Sequence, residues 1–350
     1  MRPVITVLID AYNYGRFIEQ AIESVLSQDF AMEQVEILVV DDGSTDDTAE
    51  RVKKYGGAIR YFRKENGGQA SAFNLGFAEA RGEFVFTLDA DDYFLPGKLR
   101  RVMEEFEKHP ELGMIYHRLV ELDERSGELR EARFAFSLIS GFLPDDKEKL
   151  LRFRAHQTSS LAFRRSVVER LMPFPESIRI SADGFIELLA VLLAPVLALD
   201  EALAVYRVHG ENLSYGDWAE STPEAARRRV AVYQVVLAEV AAWMAAHKNE
   251  LNGIDTRGYI EPQLLEMQST QYLADPPGRW RSFWFMARRN YACACLQNWR
   301  YTLFNYVGAG LALIVGYRRA QAIHRRTLGG LQGLLPRGRG GRCGDANLRG

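Results

Sequence analysis

The chain has 350 residues, 47% hydrophobic and 26% charged, with a formal net charge of −2. This is a globular profile with core enough for one large domain and a smaller one, and it gives no overall electrostatic bias toward nucleic acid. The three cysteines, Cys293, Cys295 and Cys343, fall in the last sixth of the chain without the paired spacing of a zinc site, which excludes a disulfide framework and points to a reducing compartment.

Met1-Arg2-Pro3 leads into Val4-Ile5-Thr6-Val7-Leu8-Ile9, an apolar run too short for the core and cleavage region of a signal peptide. Residues 4–9 predict a strand covered on both faces, as in a parallel sheet, ending at Asp10-Ala11-Tyr12-Asn13-Tyr14-Gly15. Phe17, Ile18, Ala21, Ile22, Val25 and Leu26 then share one helical stripe. Residues 37–40 predict a second strand, followed by Asp41-Asp42-Gly43-Ser44-Thr45-Asp46-Asp47, where Ser44 and Asp47 read as a capping box for a helix through Ala49 and Val52. Asp41 and Asp42 remain: either a solvated turn, or acceptors for a base N–H or ribose hydroxyls.

Residues 59–62 predict a short third strand. In Asn66-Gly67-Gly68-Gln69-Ala70-Ser71-Ala72-Phe73-Asn74-Leu75-Gly76, paired glycines let the backbone approach a ligand before an alanine-rich helix that ends near Gly82. The spacing is neither G-x-G-x-x-G nor a P-loop. Phe84-Val85-Phe86-Thr87-Leu88-Asp89-Ala90-Asp91-Asp92 reads as a buried strand closed by three carboxylates. Ligands of open α/β sheets collect at such strand ends, and carboxylates this close repel unless a cation joins them. Oxygen-only ligands suit Mg²⁺ or Mn²⁺; the bland alternative is an acidic surface turn. The βαβαβαβ series predicts a doubly wound parallel sheet.

Five segments in this order resemble glycosyltransferase family 2: Val7-Leu8-Ile9-Asp10-Ala11-Tyr12-Asn13, Val39-Val40-Asp41-Asp42-Gly43-Ser44-Thr45-Asp46, Asn66-Gly67-Gly68, Ala72-Phe73-Asn74-Leu75-Gly76 and Leu88-Asp89-Ala90-Asp91-Asp92. The resemblance implies an α/β glycosyltransferase-A fold, a Rossmann-like nucleotide-diphospho-sugar transferase sheet, with a C-terminal helical extension. Two positions depart from the family, which usually has Pro where Asp10 stands and Arg where Phe73 stands. The missing Arg removes a contact to the nucleotide and leaves base preference open.

Residues 99–109 predict a helix, 114–116 a strand, Glu124-Arg125-Ser126-Gly127-Glu128 a hairpin turn, and 141–149 an irregular loop. Residues 156–165 read by themselves as a strand with a polar entrance; they resemble the family segment lining the acceptor side, which assigns Thr158 and Ser159 there. Asp183, ahead of an apolar helix through Leu193, reads alone as a helix cap. The family carries an acidic pair here whose Asp is the general base, so resemblance gives Asp183 that role, with Ala182 in place of the first acid. Residues 205–214 resemble the family's closing motif, in which Arg207 and His209 would bind the diphosphate or complete a metal shell; a lone His is also commonly structural.

Residues 223–248 and 262–274 predict helices. Residues 301–317 contain the apolar run 307–316, flanked by Trp299, Tyr301 and Tyr317 and followed by Arg318, Arg319, Arg325 and Arg326. The run falls short of the roughly 20 residues of a spanning helix and is expected to lie on a membrane surface, the alternative being a buried helix with a solvated basic end. Residues 329–350, rich in Gly and Arg, are expected to be disordered. The expected domains are 1–217 (a nucleotide-sugar half 1–100 and an acceptor half 101–217), a helical extension 218–300, the membrane-associated segment 301–328 and the tail 329–350.

Resemblance further implies inverting transfer of a sugar from a UDP- or dTDP-linked donor to a hydroxyl of a saccharide or lipid-linked acceptor, in cell-surface polysaccharide or glycolipid assembly at the cytoplasmic face of a membrane. Ala11, Tyr12, Asn13, Asp41, Asp42, Asn66, Gly68, Gln69, Asp89 and Ala90 would line the nucleotide sugar, with Tyr12 stacked on the base. Asp91, assisted by Asp89 or Asp92 and with His209 nearby, would hold Mn²⁺ or Mg²⁺; Asp183 would activate the acceptor, and Arg207, Thr158 and Ser159 would flank it. Two other functions stay open: a sugar-phosphate nucleotidyltransferase, or a sugar- or lipid-binding protein without the chemistry. No nucleic-acid partner is expected.

Overall fold

Strands that are apolar on both faces must be covered on both faces, and the first half of the chain meets that demand with alternating helices. β1 (Ile5–Ala11), β2 (Val35–Asp41), β3 (Arg60–Arg63) and β4 (Phe84–Asp89) pair in parallel in the order β3-β2-β1-β4. Connecting them are α1 (Gly15–Leu26), α2 (Thr48–Lys53) and α3 (Gln69–Glu79). The computed structural model describes residues 3–132, 138–210, 212, 222–251, 253–274 and 278–293. Leu8, Leu38 and Val85 pack into one core layer with Phe73 and Phe77, and Val7, Ile9, Val39 and Phe86 into the other with Ile18 and Ile22. Each large side chain so buried contributes about 1.5–3 kcal/mol.

There follow β5 (Tyr93–Phe94), α4 (Lys98–Lys108), β6 (Met114–Asp123), β7 (Leu129–Glu131), α5 (Lys147–Arg152), β8 (Leu161–Arg164), α6 (Arg165–Glu169), α7 (Ala182–Leu193) and β9 (Val196–Val208). β8 pairs antiparallel with both β4 and β6, and β9 and β5 complete the edge. The sheet is therefore mixed, not wholly parallel as the first hundred residues predict. Its reversal has a local cause: a 3₁₀ turn, Thr158–Ser160, sits against the carboxyl end of β4, where Thr87 Oγ1 donates to the Thr158 carbonyl (2.7 Å). From there β8 can only run back.

Several predicted boundaries move. Ser44 does not cap α2, which begins at Thr48, and α3 ends at Glu79 with Ala80 after it, so Gly82 is no C-cap. Gly82 is instead a close approach, since a Cβ there would lie 2.4 Å from the Thr6 nitrogen. The third strand starts one residue later than predicted, and the loop at 141–149 contains the start of α5, capped by Asp146, whose side chain accepts from Lys149 N–H. The predicted β6–β7 hairpin is present.

By contact the chain divides into a first unit, Met1–Gln268, and a second, Ser269–Gly350. The first runs past the expected boundary at 217 because α8 (Pro223–Ala246) buries Val236, Val240 and Met244 in the core shared with α7. Among the described residues α8 is the one helix long and apolar enough to cross a membrane, with a mean hydropathy of 1.3, although these side chains use it as a core helix. α9 (Thr256–Ala274) starts six residues before its prediction and carries Pro262 in its interior. In the second unit α10 (Arg279–Cys293) buries Phe285 and exposes Trp280 and Trp284. The expectations for residues 301–328 and 329–350, and for Cys295, Cys343, Glu211, Leu213 and Ser214, lie outside the described residues.

Candidate active site

In register, Ala11 lies beside Asp41 and Asp10 beside Asp89, so β1, β2 and β4 deliver their last residues to one level. Past that level the loops fold onto one another. Asn13 takes a left-handed backbone (φ 59); its N–H donates to Ser44 Oγ (2.9 Å), and its Oδ1 accepts from the Thr45 N–H (2.7 Å). That contact is why Ser44 caps nothing. Asp41 is buried, with Oδ1 accepting from Ser44 N–H (2.7 Å) and Oδ2 from the Tyr61 hydroxyl (2.5 Å). Asp42 accepts from Gly67 N–H (2.9 Å), Gly68 N–H (2.7 Å) and the Lys64 ammonium (2.8 Å). All four oxygens of the pair thus have protein donors, and their first task is to build the loop.

Gly68 adopts φ 87, and a Cβ there would meet Arg179 Cα at 2.6 Å, so only glycine fits. The Ala11 carbonyl accepts from Asp42 N–H (2.8 Å), and Asn66 Oδ1 accepts from the Arg179 guanidinium. Gly43, Arg63, Lys64, Glu65 and Asn66 line an open cleft of about 530 Å³. Tyr12 is 45% exposed, the condition for stacking on a planar ligand.

At the end of β4, one oxygen from each of Asp89, Asp91 and Asp92 lies within 4.8 Å of the other two. Asp92 is fully engaged: Oδ2 accepts from Ser159 Oγ (2.6 Å) and Oδ1 from Arg207 N–H (2.8 Å). Asp91 Oδ2 lies 2.9 Å from His209 Nε2, and the Tyr14 hydroxyl also bonds to this carboxylate. The Ala90 N–H donates to the Asp10 carbonyl (3.2 Å), locking the turn to β1. Arg207 departs from expectation. Its Nε donates to the Asp91 carbonyl (2.8 Å) and its terminal nitrogen to Gln20 Oε1 (2.5 Å), with the guanidinium 4.6 Å from the Phe17 ring centre. A side chain buried in those contacts braces the Asp91 turn and is not available to a diphosphate.

Opposite, α7 opens after Ser181, which has φ 64, with the Ala182 N–H donating to Gln69 Oε1 (2.9 Å). Asp183 lies in the first turn and is not the cap. Its Oδ1 accepts from Gly184 N–H (2.8 Å) and its Oδ2 from Thr158 Oγ1 (3.0 Å). Gln69 Nε2 stands 3.4 Å from both Thr158 Oγ1 and Asp10 Oδ2.

Burial, reinforced by Glu187, pushes Asp183 up to about 6. Burial and the charges of Asp183 and Asp91 push Asp10 up to about 7. Asp89 is raised well above the usual range by burial and then by Asp10, and Asp92 by burial and then by Asp91. Asp10 also bonds to Asp89, while its Oδ1 is buried without a partner. Crowded, desolvated, hard oxygen donors fit a divalent cation of the Mg²⁺ or Mn²⁺ type, which would remove the repulsion. Asp91 and Asp89 are the residues that would hold it, since both Asp92 oxygens are already bonded.

Sequence reasoning missed Asp10 as a site residue, although it flagged the position, and it missed Tyr14 and Glu187. Phe73, where the family usually has Arg, is wholly buried and edge-on to Phe77 (6.0 Å), a core residue.

The family model described as glycosyl transferase family 2 matches residues 6–172. A glycosyltransferase of Nostoc sp. is 37% identical over 218 residues, 59% of this chain and 66% of the relative. EpsJ, a glycosyltransferase of Bacillus subtilis, is 30% identical over 227 residues, 61% of this chain and 64% of the relative. The chain thus spans just under two thirds of the length of each of these relatives. Among solved structures, S. aureus TarS in complex with UDP-GlcNAc gives a TM-score of 0.54 at 18% identity, covering 93% of this chain and 92% of that one. The mannosyltransferase PcManGT from Pyrobaculum calidifontis, in complex with GDP-Man and Mn²⁺, gives 0.53 at 19% identity, covering 96% and 88%. At these identities the two structures speak for the fold alone, which is the glycosyltransferase-A fold expected from the sequence. Over residues 6–172 the chain thus carries the glycosyl transferase family 2 pattern that its sequence resembles.

Proposed function

We propose that this protein is an inverting, metal-dependent glycosyltransferase that moves a sugar from a nucleoside-diphosphate donor, UDP- or dTDP-linked, to a hydroxyl of a saccharide or lipid-linked acceptor. The observation that carries the reading is the opposition of two acidic groups: Asp89, Asp91 and Asp92 at the end of β4, and Asp183 in the first turn of α7, joined through the Thr158–Ser160 turn. Direct displacement needs this arrangement, because the leaving diphosphate and the attacking hydroxyl lie on opposite sides of the anomeric carbon.

A divalent cation held by Asp91 and Asp89 would supply Lewis-acid stabilisation of the charge on the leaving diphosphate. Asp183 takes the proton of the attacking hydroxyl. A carboxyl that ionises near 6 is mostly a carboxylate at pH 7 yet more basic than an ordinary aspartate, the compromise a general base requires. Tyr12 stacks on the base, and Gly67, Gly68 and Asn66 hold backbone and amide groups near the donor. No enzyme nucleophile enters the scheme, which is why one carboxylate on the acceptor side is enough. The work belongs to cell-surface polysaccharide or glycolipid assembly, at the cytoplasmic face of a membrane, with residues 301–328 on the lipid surface.

The test is product formation from UDP-, dTDP- and GDP-sugars with Mn²⁺, by wild type and Asp183→Asn. Asp183→Asn is expected to bind donor normally and to lose turnover by about 10²–10⁴-fold. Unimpaired turnover in that variant would remove Asp183 from the mechanism.

A further inference from the structure

Lys98 is the first residue of α4 and is 0% exposed. An amine taken out of water costs several kcal/mol unless something compensates, and a methionine would fill the same space at lower cost. Two contacts hold this one, with the charge of Asp92 acting on it from nearby: its Nζ donates to the Ser159 carbonyl (2.8 Å) and sits 3.5 Å from the centre of the Phe94 ring. Neither contact is with a carboxylate. The amine is committed to one backbone oxygen, in the middle of the 3₁₀ turn Thr158–Ser160.

That turn touches both acidic groups with consecutive residues. Thr158 Oγ1 donates to Asp183 Oδ2 (3.0 Å), while Ser159 Oγ donates to Asp92 Oδ2 (2.6 Å) and accepts from Asp89 N–H (3.1 Å). β4 also holds its own aspartates through β1 and Arg207, whereas Asp183 has only the hydroxyl and backbone N–H of Thr158 and one N–H of its own helix. A shift of the turn would therefore move Asp183 relative to the strand.

We propose that Lys98 is a positioning residue: its buried amine pegs the Thr158–Ser160 turn, and through that turn it sets the spacing between the carboxylates of β4 and Asp183. The proposal rests on the glycosyltransferase reading for its significance, and its test does not. In-line displacement tolerates little error in this spacing, and a misplacement of about 1 Å costs about a hundredfold in rate.

The experiment follows the Asp183 carboxyl by ¹³C NMR in full-length protein labelled at the aspartate carboxyl carbon, titrated without metal. Wild type is compared with Lys98→Met, Thr158→Val and the double variant, with Asp183→Asn assigning the resonance. The Thr158 hydrogen bond favours the charged carboxylate, so Thr158→Val is expected to raise the Asp183 midpoint by about half a pH unit or more. Lys98→Met is expected to raise it comparably, and the double variant no further. Glu187, Asp10, Asp89, His156 and Tyr233 also face Asp183, and neither substitution replaces any of them. Lys98→Gln, which keeps an N–H donor, should fall between wild type and Lys98→Met. An Asp183 midpoint unmoved by Lys98→Met, or additive shifts in the double variant, would reduce Lys98 to core packing and overturn the proposal. Turnover of UDP-GlcNAc with water as acceptor separates the two readings: if Asp183→Asn leaves it intact, the base assignment fails while the titration still decides Lys98.

Discussion

Asp41-Asp42 and Asp91-Asp92 look alike in sequence, each following an apolar run, and both sit at the same edge of the sheet. Their surroundings set them apart. Asp41 and Asp42 each receive backbone N–H groups and a Tyr or Lys donor, so their charge is spent on holding a loop in place. At the end of β4 Asp89 leans on another acid, Asp10; burial and then the charges of Asp183 and Asp91 drive Asp10 upward, and burial and then Asp10 drive Asp89 upward. A carboxylate that is satisfied by its own fold builds structure, and one that is not is left to bind something.

Substitution at matched positions should separate the two pairs most sharply. Asp91→Asn is expected to fold normally and to abolish the Mn²⁺-dependent part of donor binding, measured by calorimetric titration of UDP and dTDP with and without metal. Asp42→Asn presents an amide to three donors and should lose about 1–3 kcal/mol of stability while keeping the metal increment in donor affinity. If Asp91→Asn kept that increment and Asp42→Asn lost it, the roles of the pairs would be reversed.

A second distinction is thermodynamic. Asp10 and Asp183 ionise near 7 and 6 in the folded protein against an ordinary 3.8. Between about pH 4 and 7 the folded site therefore holds protons that the unfolded chain has released, and the contribution of this site to stability falls as pH rises through that window. Asp10→Asn should flatten this slope in thermal melts. A divalent cation at pH 7 should oppose the loss, by about 2.7 kcal/mol at a hundred times its Kd. A melting temperature at pH 7 indifferent to both Mn²⁺ and Asp10→Asn would mean that the crowded carboxyls carry no strain worth relieving.

The first hundred residues were legible because their signals are local. Two-sided apolar strands, the Gly67-Gly68 turn and the acids after β4 can each be read from a few consecutive residues, and the structure places them as expected. What escaped depends on strand order and long-range contact. Asp10 joins the site only because β1 lies beside β4 in a register that sets it next to Asp89, and the antiparallel β8 follows from a turn docked against β4. Arg207 illustrates what motif reading leaves out: the resemblance gives it a diphosphate or metal-shell role, and nothing in the motif announces its packing against Phe17 and Gln20. Capping was misread for a similar reason, since the Ser44 hydroxyl found a better partner in another loop.

The smallest expected effect probes the nucleoside side of the comparison. Because Asp41 and Asp42 are occupied by the loop, contact with the base falls to what remains exposed there, and Tyr12 is the large ring that does. Stacking tolerates any base and is worth about 1 kcal/mol at the low end, so Tyr12→Ala should weaken UDP, dTDP and GDP roughly fivefold each, without changing their order. Tyr12→Phe should bind as wild type does, since the ring and not the hydroxyl makes the contact. Were Asp41 or Asp42 reading the base instead, Tyr12→Ala would leave affinity unchanged and Asp42→Asn would alter the preference among the three nucleotides. Titrating the three diphosphates into both variants therefore decides whether the first acidic pair only shapes the cleft or also reads what enters it.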